Sequence, residues 1–381
     1  MKKSTDLSEY EYSEKLKIKA KLEKDTSKKI DGKSLKSFDK INKYMKSINY
    51  FFSRGIINAH LDFEPIAQKI ANKKSFYIIS GRNPSGSLHL GHLALFKLLL
   101  EFQKLGANII IPFTNDESYI DGKTKDFETG KNIAMQTIPF LAALGFNPNK
   151  TKVLIHTDYI DLYRIAMYFG NFININQLNS LFGQESTNTP SKIFYRGALQ
   201  LASILMLQLK EFGGKQNVLV PVSLDQHPYI LLARDVAKKS NLIPPSEIVI
   251  PFLLGNKNPL EKMSSSIEGS AIRITDSPDK IRKLINQSYT GSLSTLDGHK
   301  LYGAIPEICP VFQILRYLHE DDDYISNLQS EYREGLLLTS ELKSIVTKFL
   351  IRMTTDLQSK AEEFDKKYIE MFLLKTLISS K

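Results

Sequence analysis

Residues 76–105 constrain the fold more than any other part of the chain. Phe76 to Ile79, FYII, is a β-branched and aromatic run of the kind that forms a buried strand. Ser80 to His92, SGRNPSGSLHLGH, turns the chain, and the spacing of apolar residues predicts a helix from Gly91 to about Leu105, ended by Gly106. The pattern repeats. Asn108 to Phe113, Val153 to His156, Val218 to Val222 and Ile248 to Phe252 read as strands. Between them, helices are predicted around Lys131 to Leu144, from about Tyr195 to Lys210, and from Pro228 to Lys238. Alternation of this sort means a parallel sheet covered by helices, an α/β protein whose ligands lie beyond the carboxyl ends of the strands.

The turn itself is suited to an anion. Gly81, Pro84 and Gly86 allow it to be tight, and the helix that follows points free N–H groups and its positive dipole end at whatever lies there. His89-Leu90-Gly91-His92 adds two imidazoles able to face one pocket, with Gly91 leaving room for a flat ring or a sugar. Taken alone, HxGH fits a pair of core histidines equally well. A second motif, Lys262 to Ser266, KMSSS, lies 170 residues after His92, and Gly255, Pro259 and Gly269 around it predict a mobile loop. A lysine and three hydroxyls can follow the triphosphate of ATP as it becomes pyrophosphate, and nucleotidyl transfer asks a protein chiefly for charge placed where charge develops. In this order and at this distance, HLGH and KMSSS resemble the signature of class I aminoacyl-tRNA synthetases. The expectation is that the two segments close over one nucleotide.

Composition narrows the alternatives. The chain has 381 residues, 42% hydrophobic, enough for two or three domains. No apolar run is long enough to span a membrane, and polar residues follow Met1-Lys2-Lys3, so neither a membrane segment nor a secretory signal is expected, and the expected location is cytoplasmic. A single cysteine, Cys309, excludes an internal disulfide and a Cys-rich zinc site. No GxxxxGK[ST] loop is present, which leaves ATP to the HLGH and KMSSS segments. Net charge is +10, of which +6 falls in residues 1–50, with 14 lysines against 8 acids. Such a basic extension suits RNA phosphates, or serves as a solubilising face. Within it Leu16, Ile18, Ala20 and Leu22 alternate with lysines, which predicts a half-buried edge strand packed on the body.

Polar residues gather where strands end. Thr114-Asn115-Asp116-Glu117 follows one predicted strand and Leu224-Asp225-Gln226-His227 another, and Gln200 sits inside the apolar stretch GALQLASIL. A buried glutamine is costly without a partner, which a ligand ammonium or carboxylate, or neighbouring backbone, can supply. Asp225 is suited to accept from a ribose hydroxyl or to orient its loop. Further on, Asp276-Ser277-Pro278-Asp279 starts a helix, and the remainder is helical in pattern apart from the acidic run Glu320 to Asp323. That part reads as a helical region for RNA, in which the neighbours of the acidic run, rather than the run, meet phosphate.

The segments NYFFSRGIINAHLD from Asn49, HLGH, TNDESY from Thr114, LDQHPY from Leu224 with ARDVA after it, KMSSS, and EDDD followed by LLLTSELK from Leu336 occur in one order. Together they resemble the tryptophanyl-tRNA synthetases of archaeal and eukaryotic type over nearly the whole chain. The resemblance implies a Rossmann-like parallel-sheet catalytic domain at 59–268 that includes the KMSSS loop. It implies a basic extension at 1–58 before that domain, and an α-helical anticodon-binding domain at 269–381 after it, whose last segment packs back on the catalytic domain. It implies activation of tryptophan by ATP with Mg2+, transfer to tRNA, and a homodimer. Carried over by position, His89, His92, Lys262, Ser264 and Ser265 serve catalysis. Gly81, Gly91, Asp225 and Met263 line the ATP site, and Glu117, Gln200 and Gln226 hold the ends of the amino acid. No resident metal ligand is implied. Ile79 and Pro112 stand where the family has a tyrosine and a glutamine that read the indole N–H. Ser203, three residues after Gln200 on the same helix face, holds the position of the aspartate used by the bacterial branch, and its hydroxyl is the expected reader. A tyrosine-specific synthetase and a non-catalytic paralogue that binds amino acid or RNA are the alternatives.

Overall fold

The predicted alternation becomes a sheet in a computed structural model that describes residues 2–31, 35–38, 41, 45, 49–57, 59–183, 188–264, 267 and 269–375. The chain divides into two compact units. The first comprises Met1–Ile57, Ser87–Lys97 and Pro251–Ser359, and the second Asn58–Gly86, Leu98–Ile250 and Lys360–Lys381. The linear division at 58 and 268 therefore shifts. The HLGH turn and the KMSSS loop both group with the later helices, because Asn256 Nδ2 donates to Leu284 O at 2.9 Å and Ser288 Oγ donates to Asn256 Oδ1 at 2.5 Å.

In the second unit, strands β1 (Ala59–Leu61), β2 (Phe76–Ile79), β3 (Ala107–Phe113), β4 (Thr151–Ile155), β5 (Val218–Val222) and β6 (Ser246–Val249) lie in the order β1-β6-β5-β2-β3-β4. β1 is antiparallel to β6, and every other pairing is parallel. The central strands are buried on both faces, so they read as continuous apolar runs rather than alternating ones. β6 stops short of the expected Phe252: Ile250 N–H still donates to Val222 O at 2.9 Å, and Pro251 has no N–H to continue. The exit of β2 runs hard against β3, since a Cβ on Gly81 would lie 1.9 Å from Pro112 O. Arg82 N–H donates to that same carbonyl at 3.0 Å. Beyond β4, Val153 N–H donates to Phe372 O at 2.6 Å and Leu374 N–H to Val153 O at 2.8 Å, so the end of the chain covers that strand edge.

The helix expected from Tyr195 to Lys210 is interrupted. Pro190–Phe194 is followed by a π-helical turn over Tyr195–Leu199, an α-helix at Gln200–Leu205 and a 3-10 turn at Met206–Gln208. Gly197 fits closely within the widened turn, where a Cβ would meet the Leu178 side chain at 2.8 Å. Such single-turn bulges re-aim the side chains that follow, and here the next residue is Gln200.

In the first unit, the edge strand expected around Leu16 to Leu22 is instead part of a helix, Lys2–Asp31. Lysine and glutamate are good helix formers, and the covered face is polar with a helical period, which the apolar-lysine alternation conceals. Ser8 Oγ lies 3.3 Å from Thr295 Oγ1 and Glu11 accepts from Ser294 N–H at 3.0 Å. Tyr12 stacks on Tyr302, and Lys15 Nζ donates to Thr290 O at 3.1 Å. Leu16 is left exposed. Ser277 caps the helix Pro278–Asn286 by accepting from Lys280 N–H, as its sequence predicts.

Arg54 joins two of the sequence motifs. Its Nε donates to Asp322 Oδ1 at 2.6 Å, its Nη1 donates to the carbonyls of Arg316 and His319, and its guanidinium stacks 4.5 Å over the Tyr50 ring. Ser53 Oγ donates to the other oxygen of Asp322. Glu320 pairs with Lys97 at 2.8 Å, and Asp321 caps the helix Asp322–Arg333. Three of the four acids thus have structural partners. No helix among the described residues is long and apolar enough to cross a membrane. Because Arg54 is buried and holds two carbonyls besides its carboxylate, Arg54→Ala is expected to cost about 2–4 kcal/mol. That loss should appear as a lower melting temperature by calorimetry, and an unchanged one would contradict this linkage.

Candidate active site

In the first unit the HLGH turn is built on the segment that follows KMSSS. Leu90 N–H donates to Ile272 O and Ile274 N–H to Leu88 O, both at 3.0 Å, and His89 forms an antiparallel bridge with Arg273. Helix Leu90–Lys104 starts there, with His89 O accepting from His92 N–H and Leu93 N–H. The imidazoles of His89 and His92 lie 3.7 Å apart between ring centroids. His89 Nδ1 accepts from Gly91 N–H at 3.1 Å, and His92 Nδ1 faces His89 N–H at 3.5 Å. An imidazole that accepts at Nδ1 carries its proton at Nε2 when neutral, so both rings offer an Nε2–H donor suited to a phosphate oxygen. Gly91 has a reason beyond room for a ligand: a Cβ there would meet the His89 ring at 3.0 Å.

The KMSSS loop folds back on the residues before it. Met263 N–H donates to Leu253 O and Gly255 N–H to Glu261 O, each at 2.8 Å, and Lys262 bridges to Leu254. Met263 is buried and anchors the loop. Lys262 is exposed and carries its ammonium 4.6 Å over the Phe252 ring. Ser264 is partly buried; Ser265 lies outside the described residues.

In the second unit, polar side chains collect at the carboxyl ends of the parallel strands. After β3, helix Asn115–Ile120 carries Glu117, whose Oε2 accepts from Thr114 Oγ1 at 2.7 Å. The preceding residue, Asp116, accepts from Glu117 N–H at 2.9 Å, lies 3.1 Å from His156 Nδ1 at the end of β4, and accepts from Tyr163 Oη at 3.3 Å. Burial alone would raise the Asp116 carboxyl; His156 beside it and the hydrogen bonds outweigh burial and hold it below the usual carboxylate value. Tyr195 and Tyr229 flank the same region, and burial, with the charge of Glu117 adding to it, pushes both phenols up.

Gln200 Nε2 donates to Gln226 Oε1 at 3.1 Å, whereas Gln200 Oε1 is buried with no partner. The glutamine thus bonds another side chain rather than backbone, and it keeps an acceptor free. Ser203, also buried, donates its hydroxyl to Gln200 O at 2.8 Å, leaving its oxygen lone pairs as acceptors. Asp225 is exposed and accepts from Ser223 Oγ, so its loop is oriented from within. Ile79 is buried in the apolar cluster that also holds Leu199, Leu201 and Ala202. Pro112 offers only its carbonyl, already used by Arg82.

Several polar residues here escaped the sequence reading: Arg82, Asn83, His156, Tyr163, Tyr195 and Tyr229. For His156 the available signal was an ionisable residue at the last position of a predicted strand. For Arg82 it was a charged residue between the glycines of the first turn.

The family model for class I tRNA synthetases (W and Y) matches residues 71–355. The tryptophan-tRNA ligase of Methanocaldococcus jannaschii is 34% identical over 326 residues, covering 84% of this chain and 87% of that protein. The cytoplasmic tryptophan-tRNA ligase of Schizosaccharomyces pombe is 28% identical over 91% of this chain and 89% of its own length. Among solved structures, tryptophanyl-tRNA synthetase from the archaeon Aeropyrum pernix K1 superposes with a TM-score of 0.82 at 28% identity, covering 92% of this chain and 95% of that one. The match spans the strands, the HLGH turn, the KMSSS loop and the helices beyond it, and the chain belongs to the class I tRNA synthetases of the W and Y family.

Proposed function

We propose that this chain activates tryptophan with ATP and charges a tryptophan tRNA. A carboxylate oxygen of the amino acid bonds to the α-phosphorus of ATP, the bond to the bridging oxygen breaks, and pyrophosphate leaves. A hydroxyl of the terminal tRNA ribose then attacks the carbonyl of the mixed anhydride and releases AMP. The observation that best supports this reading is the backbone pairing of Leu88 and Leu90 with Ile272 and Ile274, which sets the HLGH turn and the KMSSS loop in one unit.

Glu117 and the unpartnered Gln200 Oε1 suit the substrate ammonium, and Gln226 suits its other end. The Nε2–H groups of His89 and His92 donate to phosphate oxygens, and Gly91 leaves the backbone open. Lys262, helped by Ser264 and Ser265, meets the charge that grows on the departing pyrophosphate. Gly81 fixes the turn, Asp225 takes a ribose hydroxyl, and Met263 anchors the loop. No three His, Cys, Asp or Glu side chains among the described residues are grouped to hold a metal. In this reading Mg2+ comes with the ATP phosphates, whose charge it neutralises while keeping most of its water.

Tryptophan is favoured over tyrosine because Ile79 and Ser203 offer no tyrosine or aspartate partner to a phenol, while the Ser203 lone pairs can take an indole N–H. The helices from Pro278 onward serve the tRNA anticodon, with the basic helix Lys2–Asp31 beside them in the same unit. The protein works in the cytoplasm as a homodimer, for which the exposed Ile160, Met167, Tyr168 and Ile175 supply an apolar face. Sedimentation at twice the 43.3 kDa chain mass is expected, shifted toward the single-chain value by Met167→Glu; a monomeric wild-type protein contradicts the dimer.

Pyrophosphate exchange run with each of the twenty amino acids is expected with tryptophan alone. Exchange with tyrosine would favour the tyrosine enzyme, and none at all the non-catalytic paralogue. In the same assay Ser203→Ala should narrow the preference for tryptophan over tyrosine about tenfold; unchanged selectivity removes Ser203 as the reader. Lys262→Ala should slow adenylate formation roughly 100-fold or more with only a small change in ATP affinity, because its charge matters most in the transition state. Equal losses in rate and affinity would speak against that role.

A further inference from the structure

The first turn after β2 contains a charge that nothing in the protein balances. Arg82 is only 6% exposed. Its Nε donates weakly to Asn83 O at 3.4 Å and its Nη2 donates to Gly86 O, while Nη1 is buried with no partner. No carboxylate lies within ion-pair distance of it among the described residues, although 20 other ion pairs are formed there, including those of Arg54 and Arg234. Burial brings its pKa down to about 10, which leaves the guanidinium charged at neutral pH. The next residue repeats the anomaly. Asn83 Oδ1 accepts from Ser118 Oγ, but Asn83 Nδ2 is buried without a partner.

Two adjacent residues thus hold two unmatched donors, one of them cationic, at the carboxyl end of a central parallel strand. A buried cation without a counter-ion is among the most expensive arrangements a fold can keep, and an unsatisfied carboxamide N–H adds to the cost. The backbone around them is tightly set: Gly81 has no room for a Cβ beside Pro112 O, and Arg82 N–H is fixed to that carbonyl. The donors are therefore held in place ahead of any ligand. Ser118, which holds the Asn83 carboxamide, directly follows Glu117 in the helix Asn115–Ile120, so Asn83 is fixed to the element that carries the proposed ammonium ligand.

We propose that Arg82 Nη1 and Asn83 Nδ2 form an oxyanion subsite for the activation reaction, taking an oxygen of the amino-acid carboxylate or of the nucleotide α-phosphate. Both are oxyanions of the same class, and they become joined when the carboxylate bonds to the α-phosphorus and pyrophosphate departs. The subsite supplies the missing counter-charge at that step. This inference rests on the proposed function, since it assumes that amino acid and nucleotide react here.

Titration calorimetry on the full chain separates the two sources. Wild type, Arg82→Met, Arg82→Lys and Asn83→Ala are each titrated with tryptophan and with tryptamine, which lacks the carboxylate, and with AMP and with adenosine, which lacks the phosphate. The expected result is a loss of about tenfold or more for one oxyanion ligand in Arg82→Met, a smaller loss in Arg82→Lys and in Asn83→Ala, and unchanged binding of its uncharged counterpart. Loss confined to tryptophan assigns the carboxylate, and loss confined to AMP the phosphate. Equal losses for ligand and counterpart, or no loss for either oxyanion with only a lowered melting temperature, overturn the proposal and make Arg82 a structural residue. If Arg82→Met does not fold, Asn83→Ala decides by the same comparison. Wild-type protein that binds AMP but not tryptophan contradicts the proposed substrate, and the AMP and adenosine arms then judge the subsite alone. Binding of neither overturns both.

Discussion

A buried polar atom without a partner is expensive, and this chain keeps several of them at the carboxyl ends of its parallel strands. Gln200 Oε1, Arg82 Nη1, Asn83 Nδ2 and His156 Nε2 are all sealed from water in the second unit and unpartnered. Each costs on the order of 1–3 kcal/mol, more for the charged one, against a net stability of about 5–15 kcal/mol. Structural need does not account for them, because apolar residues of similar shape would stabilise the fold better. Ligand groups of opposite character account for them all: an ammonium for the carboxamide oxygen, an oxyanion for the guanidinium and the amide N–H.

The rest of the second unit holds these atoms where they are. The close approach of Gly81 to Pro112 fixes the turn that carries Arg82 and Asn83. The π turn at Tyr195–Leu199 sets the angle at which Gln200 leaves its helix. Asp116, held by His156 and Tyr163, secures the amide of Glu117. In the first unit a different economy operates, since Arg54, Ser53 and Asp322 satisfy one another, and the acidic run that looked like an exposed surface feature is mostly committed to internal bonds.

How much of this was legible in the sequence follows from how local each feature is. The strands at Phe76–Ile79 and Val218–Val222, the cap at Ser277 and the HLGH and KMSSS segments depend on residue type and spacing within a few positions, and they were readable. The N-terminal helix was misread because alternating lysines and apolar residues mimic a strand, while its true covered face, Ser8, Glu11, Tyr12 and Lys15, is polar and visible only through its partners near residues 289–302. The discontinuous units were hidden because their bonds join residues far apart in sequence, such as Leu90 and Ile272. Arg82 and His156 were hidden for a subtler reason: a sequence shows that a residue is polar, but only tertiary neighbours show that it is buried and left without a partner.

The most direct measurement of this account compares wild type with Gln200→Leu, recording thermal stability without ligand and tryptophan affinity by calorimetry. If the carboxamide is kept for a ligand, the variant melts no lower than wild type and binds tryptophan at least about tenfold more weakly. A variant that melts well below wild type and binds tryptophan as before would mean that Gln200 serves the fold, and that its unpartnered oxygen has nothing to do with the substrate.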